Sequence, residues 1–184
     1  EGSVVDADEL ISSMINKAKV ISDKLGKIND LVDSEKKQLY KTISLGALKY
    51  HILKVDPKKK ILFNPEESID FNGNTGTFIQ YTYARIKSIL NKNRNTTYEF
   101  NELKLAQKEK ELIILLCEFK NILKNSVKTL NPSLIANHIY EVVKLYNSYY
   151  QTHTILGNKN INSFRVYLSE KVAIQIEKSM GLLG

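Results

Sequence analysis

The sequence predicts an all-α protein, on three observations. Apolar residues recur at spacings of three and four along most of its 184 residues. Only three prolines and eight glycines punctuate those segments, so interruptions are few and local. Cap-forming residues stand where periodic segments begin, above all Asn131 followed by Pro132. The expected architecture is a small antiparallel helical bundle over residues 96–184, preceded by a mostly helical connecting region over residues 1–95.

Taken in order, Asp6 or Asp8 can cap a first helix whose stripe is Leu10, Met14, Ile15, Ala18, Ile21 and Leu25, with Gly26 as its stop. Ser34 opens a second helix, in which Leu39, Ile43, Ala47, Tyr50 and Leu53 keep helical spacing. Pro57 and the lysines of VDPKKKILFNPEESIDF mark irregular structure, with ILF a short extended piece and NPEE a cap or turn. From Phe78 to Leu90 the pattern is helical again, until NKNRN at 91–95 breaks every periodicity. That polar break is the expected domain boundary.

Beyond it, LKLAQKEKELIILLCEF presents Leu112, Ile113, Leu116 and Phe119 on one face, and a break near 118 is expected before NILKNSVKTL. The helix after Pro132 runs toward Tyr150 and can bury Leu134, Ile135, His138, Ile139, Val142 and Leu145. After THTILGNKNIN, Ser163 starts a last helix with the stripe Phe164, Leu168, Val172, Ile176 and Met180. No fixed-period repeat or low-complexity segment appears.

Composition narrows the function classes. No apolar run approaches the ~18 residues that a bilayer span needs, so no membrane role is expected. The acidic, polar start EGSVVDADEL is unlike a signal peptide, and the single Cys117 can form no internal disulfide. Both lean toward a reducing, cytoplasmic setting. The formal net charge is +7, with 16 basic and 12 acidic residues in 1–95 and 11 and 8 in 96–184. A distributed basic excess suits a polyanionic partner, and also suits an ordinary lysine-rich surface.

Catalytic and metal chemistry find no support. His51, His138 and His153 are scattered and have no partner at ligand spacing, so no metal site is expected. Cys117 in LLCEF reads as a small buried hydrophobe, and the acidic pairs read as caps and solvated faces. The glycines of GNTG form neither a Walker loop nor a dinucleotide loop. Gly73 can take positive φ, Asn74 or Thr75 can bond backbone N–H groups, and Gly76 permits close approach before the helix. Two uses stay open for that turn, a packed junction or a phosphate contact.

Two surfaces stand out. After GNTG, Tyr81 and Arg85 are four apart and can stack, off the stripe of Ile79, Tyr83 and Ile86; with Gln80 they suit an interdomain or nucleic-acid contact. In YEVVKLYNSYYQTH, Tyr140, Tyr146, Tyr149 and Tyr150 mix with Lys144, Asn147 and Gln151. Rings beside amides are what unstacked bases need, although the same pattern also describes a bundle core with hydroxyls at its rim. Lys144, Lys159 and Arg165 are candidate phosphate contacts nearby.

Two colinear stretches carry a resemblance. LGALKYHILKVDPKKKILFNPEESIDFNGNTGTFIQYTYARIKSIL resembles the segment of arginyl-tRNA synthetases that follows their catalytic fold, including an F-x-G-N-T-G-P-[FY]-x-Q-Y-x-x-A-R run. LIANHIYEVVKLYNSYYQTHTILG and FRVYLSEKVAIQIEKSMGLLG resemble long helices of that family's anticodon-binding bundle, in the texture of bacterial, Bacteroidota-like members. The resemblance covers nearly all of the chain. It implies a class I synthetase that uses ATP with Mg2+ to activate L-arginine and loads it onto tRNA(Arg). Neither a HIGH-type nor a KMSKS-type sequence is present, so the expectation is a C-terminal portion with no catalytic residue of its own.

The resemblance further implies tRNA(Arg) as partner and a catalytic domain in cis; the oligomeric state stays open, with a monomer favoured. Carried over by position, it assigns anticodon contacts to Tyr146 and Tyr150. It assigns tRNA or interdomain contacts to Gly73, Asn74, Gly76, Gln80, Tyr81 and Arg85. Thr77 stands where the family pattern has proline, which predicts a slightly less rigid helix start and no loss of function. Two alternatives remain at this level: the bundle of another class I synthetase, such as the cysteinyl enzyme, or a helical protein–protein interaction module.

Overall fold

The computed structural model describes residues 6–25, 31–61, 64–93, 98, 104–156 and 159–184; the side chains of 24, 25, 66 and 159–162 lie outside the description. Seven helices and no strand occur among the described residues: α1 (Ala7–Leu25), α2 (Asp33–Leu53), α3 (Pro65–Ser68), α4 (Gly76–Asn91), α5 (Gln107–Thr129), α6 (Ser133–Thr152) and α7 (Lys159–Leu182). The all-α expectation holds.

Most helix starts follow their local chemistry. Asp6, rather than Asp8, caps α1, its Oδ1 accepting the N–H groups of Asp8 at 2.8 Å and Glu9 at 3.3 Å. At α2 the Glu35 carboxylate accepts the Val32 N–H at 3.0 Å, and at α5 Glu109 accepts the Ala106 N–H at 2.7 Å. Pro65 opens the single turn of α3, as NPEE predicts. Before α6, the Asn131 side chain accepts from the Ser133 N–H at 3.0 Å.

Several details differ from the sequence expectation. No break occurs near 118: α5 is continuous, because Leu112, Leu115, Phe119, Ile122 and Leu123 carry one packing face across Glu118. Cys117 is exposed, not buried, since it lies on the solvent side of that same helix. The last helix begins at Lys159, a turn before Ser163. Leu130 ends α5 in the left-handed region at φ 50°, a position glycine usually fills, and its side chain is 83% exposed. The Gly26 stop and most of the ILF segment lie outside the described residues.

Two apolar clusters organise the packing. The smaller joins α1 and α2 through Met14, Ala18, Tyr40 and Ala47, with Ile69 beneath. The larger holds Leu112 of α5, Ile139 and Val142 of α6, Val172 and Ile176 of α7, and also Ile79, Ile86 and Ile89 of α4 and Tyr50 of α2. Each of these large apolar side chains contributes about 1.5–3 kcal/mol by leaving water. The expected boundary near 95 lies among undescribed residues, and the larger core runs across it, from α4 into the bundle. The three-residue connection at 130–132 turns α5 back on α6 as a helical hairpin.

Candidate nucleic-acid interface

The GNTG turn is the clasp between α2, α4 and α6. Gly73 takes φ 76°, so the chain can reverse there without a Cβ penalty. Thr75 caps α4: its hydroxyl accepts the Phe78 N–H at 3.1 Å and donates to the Asp70 carbonyl. Asn74 faces inward. Its Oδ1 lies 2.6 Å from the Tyr50 hydroxyl, its carbonyl accepts from Lys54 Nζ at 2.8 Å, and its Nδ2 donates to Asn137 at 3.2 Å. The Tyr50 hydroxyl also lies 2.8 Å from the Ala136 carbonyl, and its one proton serves one acceptor at a time.

Gly76 is where two backbones meet. A Cβ there would stand 2.7 Å from the Gly46 carbonyl oxygen and 3.0 Å from Tyr50 Cβ. At Gly46 the space a Cβ would take is filled by the end of the Gln80 side chain, whose Nε2 donates to the Thr42 carbonyl at 3.2 Å. The glycine of LGALKY and the last glycine of GNTG are thus two halves of one helix crossing. Asn74 and Gly76 are committed to that junction, and Gly73 remains exposed.

Gly76 starts a helix whose outward stripe carries Tyr81, Arg85, Ser88 and Lys92, and these line a groove of about 590 Å³ with Leu39 and Ile43 of α2 and Phe71. That volume falls within the ~300–1,000 Å³ of ordinary ligand clefts. The Arg85 guanidinium sits 4.8 Å from the centroid of the Tyr81 ring and 5.0 Å from that of Tyr150. It therefore bridges the two surfaces that the sequence offered separately. Asn147 fixes it: Asn147 Oδ1 accepts from Arg85 Nη1, while its Nδ2 donates to Thr82 Oγ1 at 2.7 Å and to the Val143 carbonyl at 2.9 Å. One of the five guanidinium N–H donors is used by Asn147.

Tyr150 is 38% exposed and separates this groove from a second of about 390 Å³ formed by Ile89 and residues 150–156. Its partner in the sequence argument behaves differently. Tyr146 is 0% exposed, and its hydroxyl donates to Ser169 Oγ at 2.9 Å. Burial pushes its phenol up to about 12, so it stays a donor at neutral pH. The stacking role expected of Tyr146 is corrected: no ring face is open to a base, because α6 is covered on that side by α7.

Arg165 also differs from expectation. Its Nε donates to Glu109 Oε1 at 2.9 Å and its Nη1 to the Thr154 carbonyl at 2.9 Å. Its side chain is 17% exposed and that of Glu109 4%, so this is an internal ion pair rather than a phosphate contact. Lys144 is exposed but faces Glu141 and the Tyr140 ring, and does not line either groove. The side chain of Lys159 lies outside the described residues. Gln80 lines the groove with its Oε1 buried and unpartnered, beside the buried, unpartnered hydroxyl of Thr77.

Sequence reasoning missed Lys92, Phe71 and Leu39. Lys92 was legible, since 81, 85, 88 and 92 fall on one helical face; the polar break at 91–95 obscured it. Phe71 and Leu39 join the groove only through the α2–α4 crossing. No cluster of three metal-ligating side chains occurs among the described residues, and no described helix is long and apolar enough to cross a membrane.

Comparisons with known proteins fit this geometry. The chain is 53% identical over 186 residues to the arginine–tRNA ligase of Flavobacterium psychrophilum, covering 100% of this chain and 31% of that protein. It is 48% identical over 191 residues to the arginine–tRNA ligase of Phocaeicola vulgatus, covering 100% of this chain and 32% of that one. It thus spans about a third of the length of these relatives. Among solved structures, Thermus thermophilus arginyl-tRNA synthetase shares the fold at a TM-score of 0.88 and 23% identity, over 100% of this chain and 32% of that chain. The Plasmodium falciparum arginyl-tRNA synthetase does so at 0.81 and 24%, over 98% and 32%. The model of the DALR anticodon binding domain matches residues 79–184, beginning inside α4, whose isoleucines belong to the bundle core. With more than half of its length matched in this way, the chain belongs to the DALR anticodon-binding domain family.

Proposed function

We propose that this chain is the tRNA-binding portion of an arginine–tRNA ligase, and that it grips the anticodon loop of tRNA(Arg) at Tyr150 and Arg85. The single observation that carries the site is the Tyr150 ring, exposed at the wall between two grooves and stacked on a guanidinium. An unstacked base can extend the Tyr81–Arg85–Tyr150 stack, with the unused Arg85 donors offered to base edges or a phosphate. Lys92 adds charge at the groove mouth, and Tyr146 supports α6 from beneath.

In the complete enzyme, ATP with Mg2+ activates L-arginine in a catalytic domain in cis, and this region positions the tRNA. No catalytic step is assigned to the residues of this chain. Residues 1–95 act as the connecting region and 96–184 as the anticodon-binding bundle, with α4 shared between them. The protein acts as a monomer in the cytoplasm.

Base stacking on an aromatic ring contributes about 1–3 kcal/mol, so Tyr150→Ala weakens binding of tRNA(Arg) by roughly 5- to 150-fold. Filter binding or fluorescence titration, with a thermal melt to show that the fold is intact, measures this. Unchanged affinity in a folded Tyr150→Ala variant overturns the assignment.

A further inference from the structure

The Glu109–Arg165 pair joins three segments that the base-binding reading does not otherwise connect. Glu109 is in the first turn of α5, where it also accepts the Ala106 N–H, and Arg165 is on α7. The same Glu109 Oε1 that meets Arg165 accepts the Tyr149 hydroxyl at 3.0 Å. Burial, then the neighbouring Glu109 carboxylate, raise the Tyr149 phenol above the usual tyrosine range, so that hydroxyl remains a donor. From the other side, Arg165 Nη1 holds the Thr154 carbonyl, in the segment just after α6. Lys108, one residue before Glu109, donates to the Ser148 and Thr152 hydroxyls at 2.8 and 3.2 Å.

The bonds to Ser148, Tyr149, Thr152 and Thr154 all end within four residues of Tyr150, yet none touches it. Tyr149 precedes it, its ring 4.8 Å from that of His153, and Thr154 leads into Leu156, which lines both grooves beside Tyr150. A chain end emerging from a helix is ordinarily among the least stable parts of a fold. Here it is held at Thr154 by the guanidinium directly and at Tyr149 through Glu109. A buried ion pair contributes little net stability relative to apolar packing, and its best-attested use is to fix one arrangement among several.

We infer that Arg165 is a positioning residue for anticodon recognition: with Glu109, it sets the Tyr149–Leu156 segment so that Tyr150 meets the base in one geometry. This rests on the reading that Tyr150 stacks on an anticodon-loop base. Arg165 does not touch the RNA. Its planar fork holds a carboxylate at Nε and a carbonyl at Nη1 in one fixed geometry, which the rotatable donors of a lysine ammonium do not impose.

The test measures Kd for tRNA(Arg) and for a transcript with one substituted anticodon base, using the wild type, Arg165→Lys, Tyr150→Ala and the double variant. Arg165→Lys keeps the charge beside Glu109 and should lower discrimination between the two transcripts by at least fivefold. In the Tyr150→Ala background the same change should have no further effect, because Arg165 acts through Tyr150. A second variant, Glu109→Gln with Arg165→Gln, removes the charge as a neutral pair and covers the case in which Arg165→Lys does not fold. Its slope of log affinity against log salt should equal that of the wild type. A slope shallower by about 0.7–0.9 would mean a lost phosphate contact and overturn the inference. Discrimination unchanged in Arg165→Lys but lost in Tyr150→Ala overturns the positioning role alone. Discrimination unchanged in Tyr150→Ala overturns the parent reading and this inference with it.

Discussion

Glu109→Ala should lower the free energy of unfolding by about 3–5 kcal/mol, the effect of stranding one member of a buried ion pair. The carboxylate serves the Arg165 guanidinium, the Tyr149 hydroxyl and the Ala106 N–H, so its removal leaves three donors without their acceptor. Removing both charges is milder: Glu109→Leu with Arg165→Met should cost far less than the single change, because apolar groups need no partner. Urea unfolding of the two variants checks this. Strict additivity of Glu109→Leu and Arg165→Met would show that the pair is not coupled, contrary to its 2.9 Å contact.

Gly76→Ala should cost about 2–3 kcal/mol, for a steric reason that no other described glycine of the helices α4–α7 shares. Its new methyl would press on the backbone oxygen of Gly46 at 2.7 Å, and neither helix can yield without moving Tyr50 and the Asn74 clasp. Gly181, inside α7, is the control: a Cβ there meets nothing within 4 Å, so Gly181→Ala should stabilise by about 0.5–1 kcal/mol. Opposite signs at the two positions are expected in matched urea titrations. Equal, small effects would mean that α2 and α4 do not cross as tightly as described.

The clasp also explains why LGALKY and GNTG occur together although Tyr50 and Asn74, which join them, are 24 residues apart. Each supplies a glycine to one crossing, and Tyr50 of the first bonds Asn74 of the second. From the sequence, GNTG read as a turn with two open uses, and only the partner helix decides between them. A glycine's need for space is legible locally when φ is positive, as at Gly73, but not when the obstruction comes from elsewhere in the chain, as at Gly76.

Helix identity was legible because stripes and caps are local. The apolar stripe of α7, the Asn131–Pro132 start and the Asp6 cap are each written within a few residues. How wide an arc of each helix is covered is not local. Tyr146 and Tyr150 lie on nearly the same face, 40° apart on a helical wheel of 100° per residue, yet one is sealed under α7 and the other stands at the groove wall. Likewise Arg165 looks like any surface arginine until Glu109, 56 residues earlier, is seen beside it. The break at 91–95 ended a helix but not a core, because Ile79, Ile86 and Ile89 pack forward into the bundle.

The central claim is that this chain reads an anticodon loop through the Tyr81–Arg85–Tyr150 stack. Its most direct test is an equilibrium titration of the protein with tRNA(Arg) and with transcripts differing at single anticodon bases, at two salt concentrations. Raising salt should weaken all complexes alike through the phosphate contacts, while at each salt at least one base substitution should weaken binding tenfold or more. Equal affinity for every transcript at both salt concentrations would contradict the account.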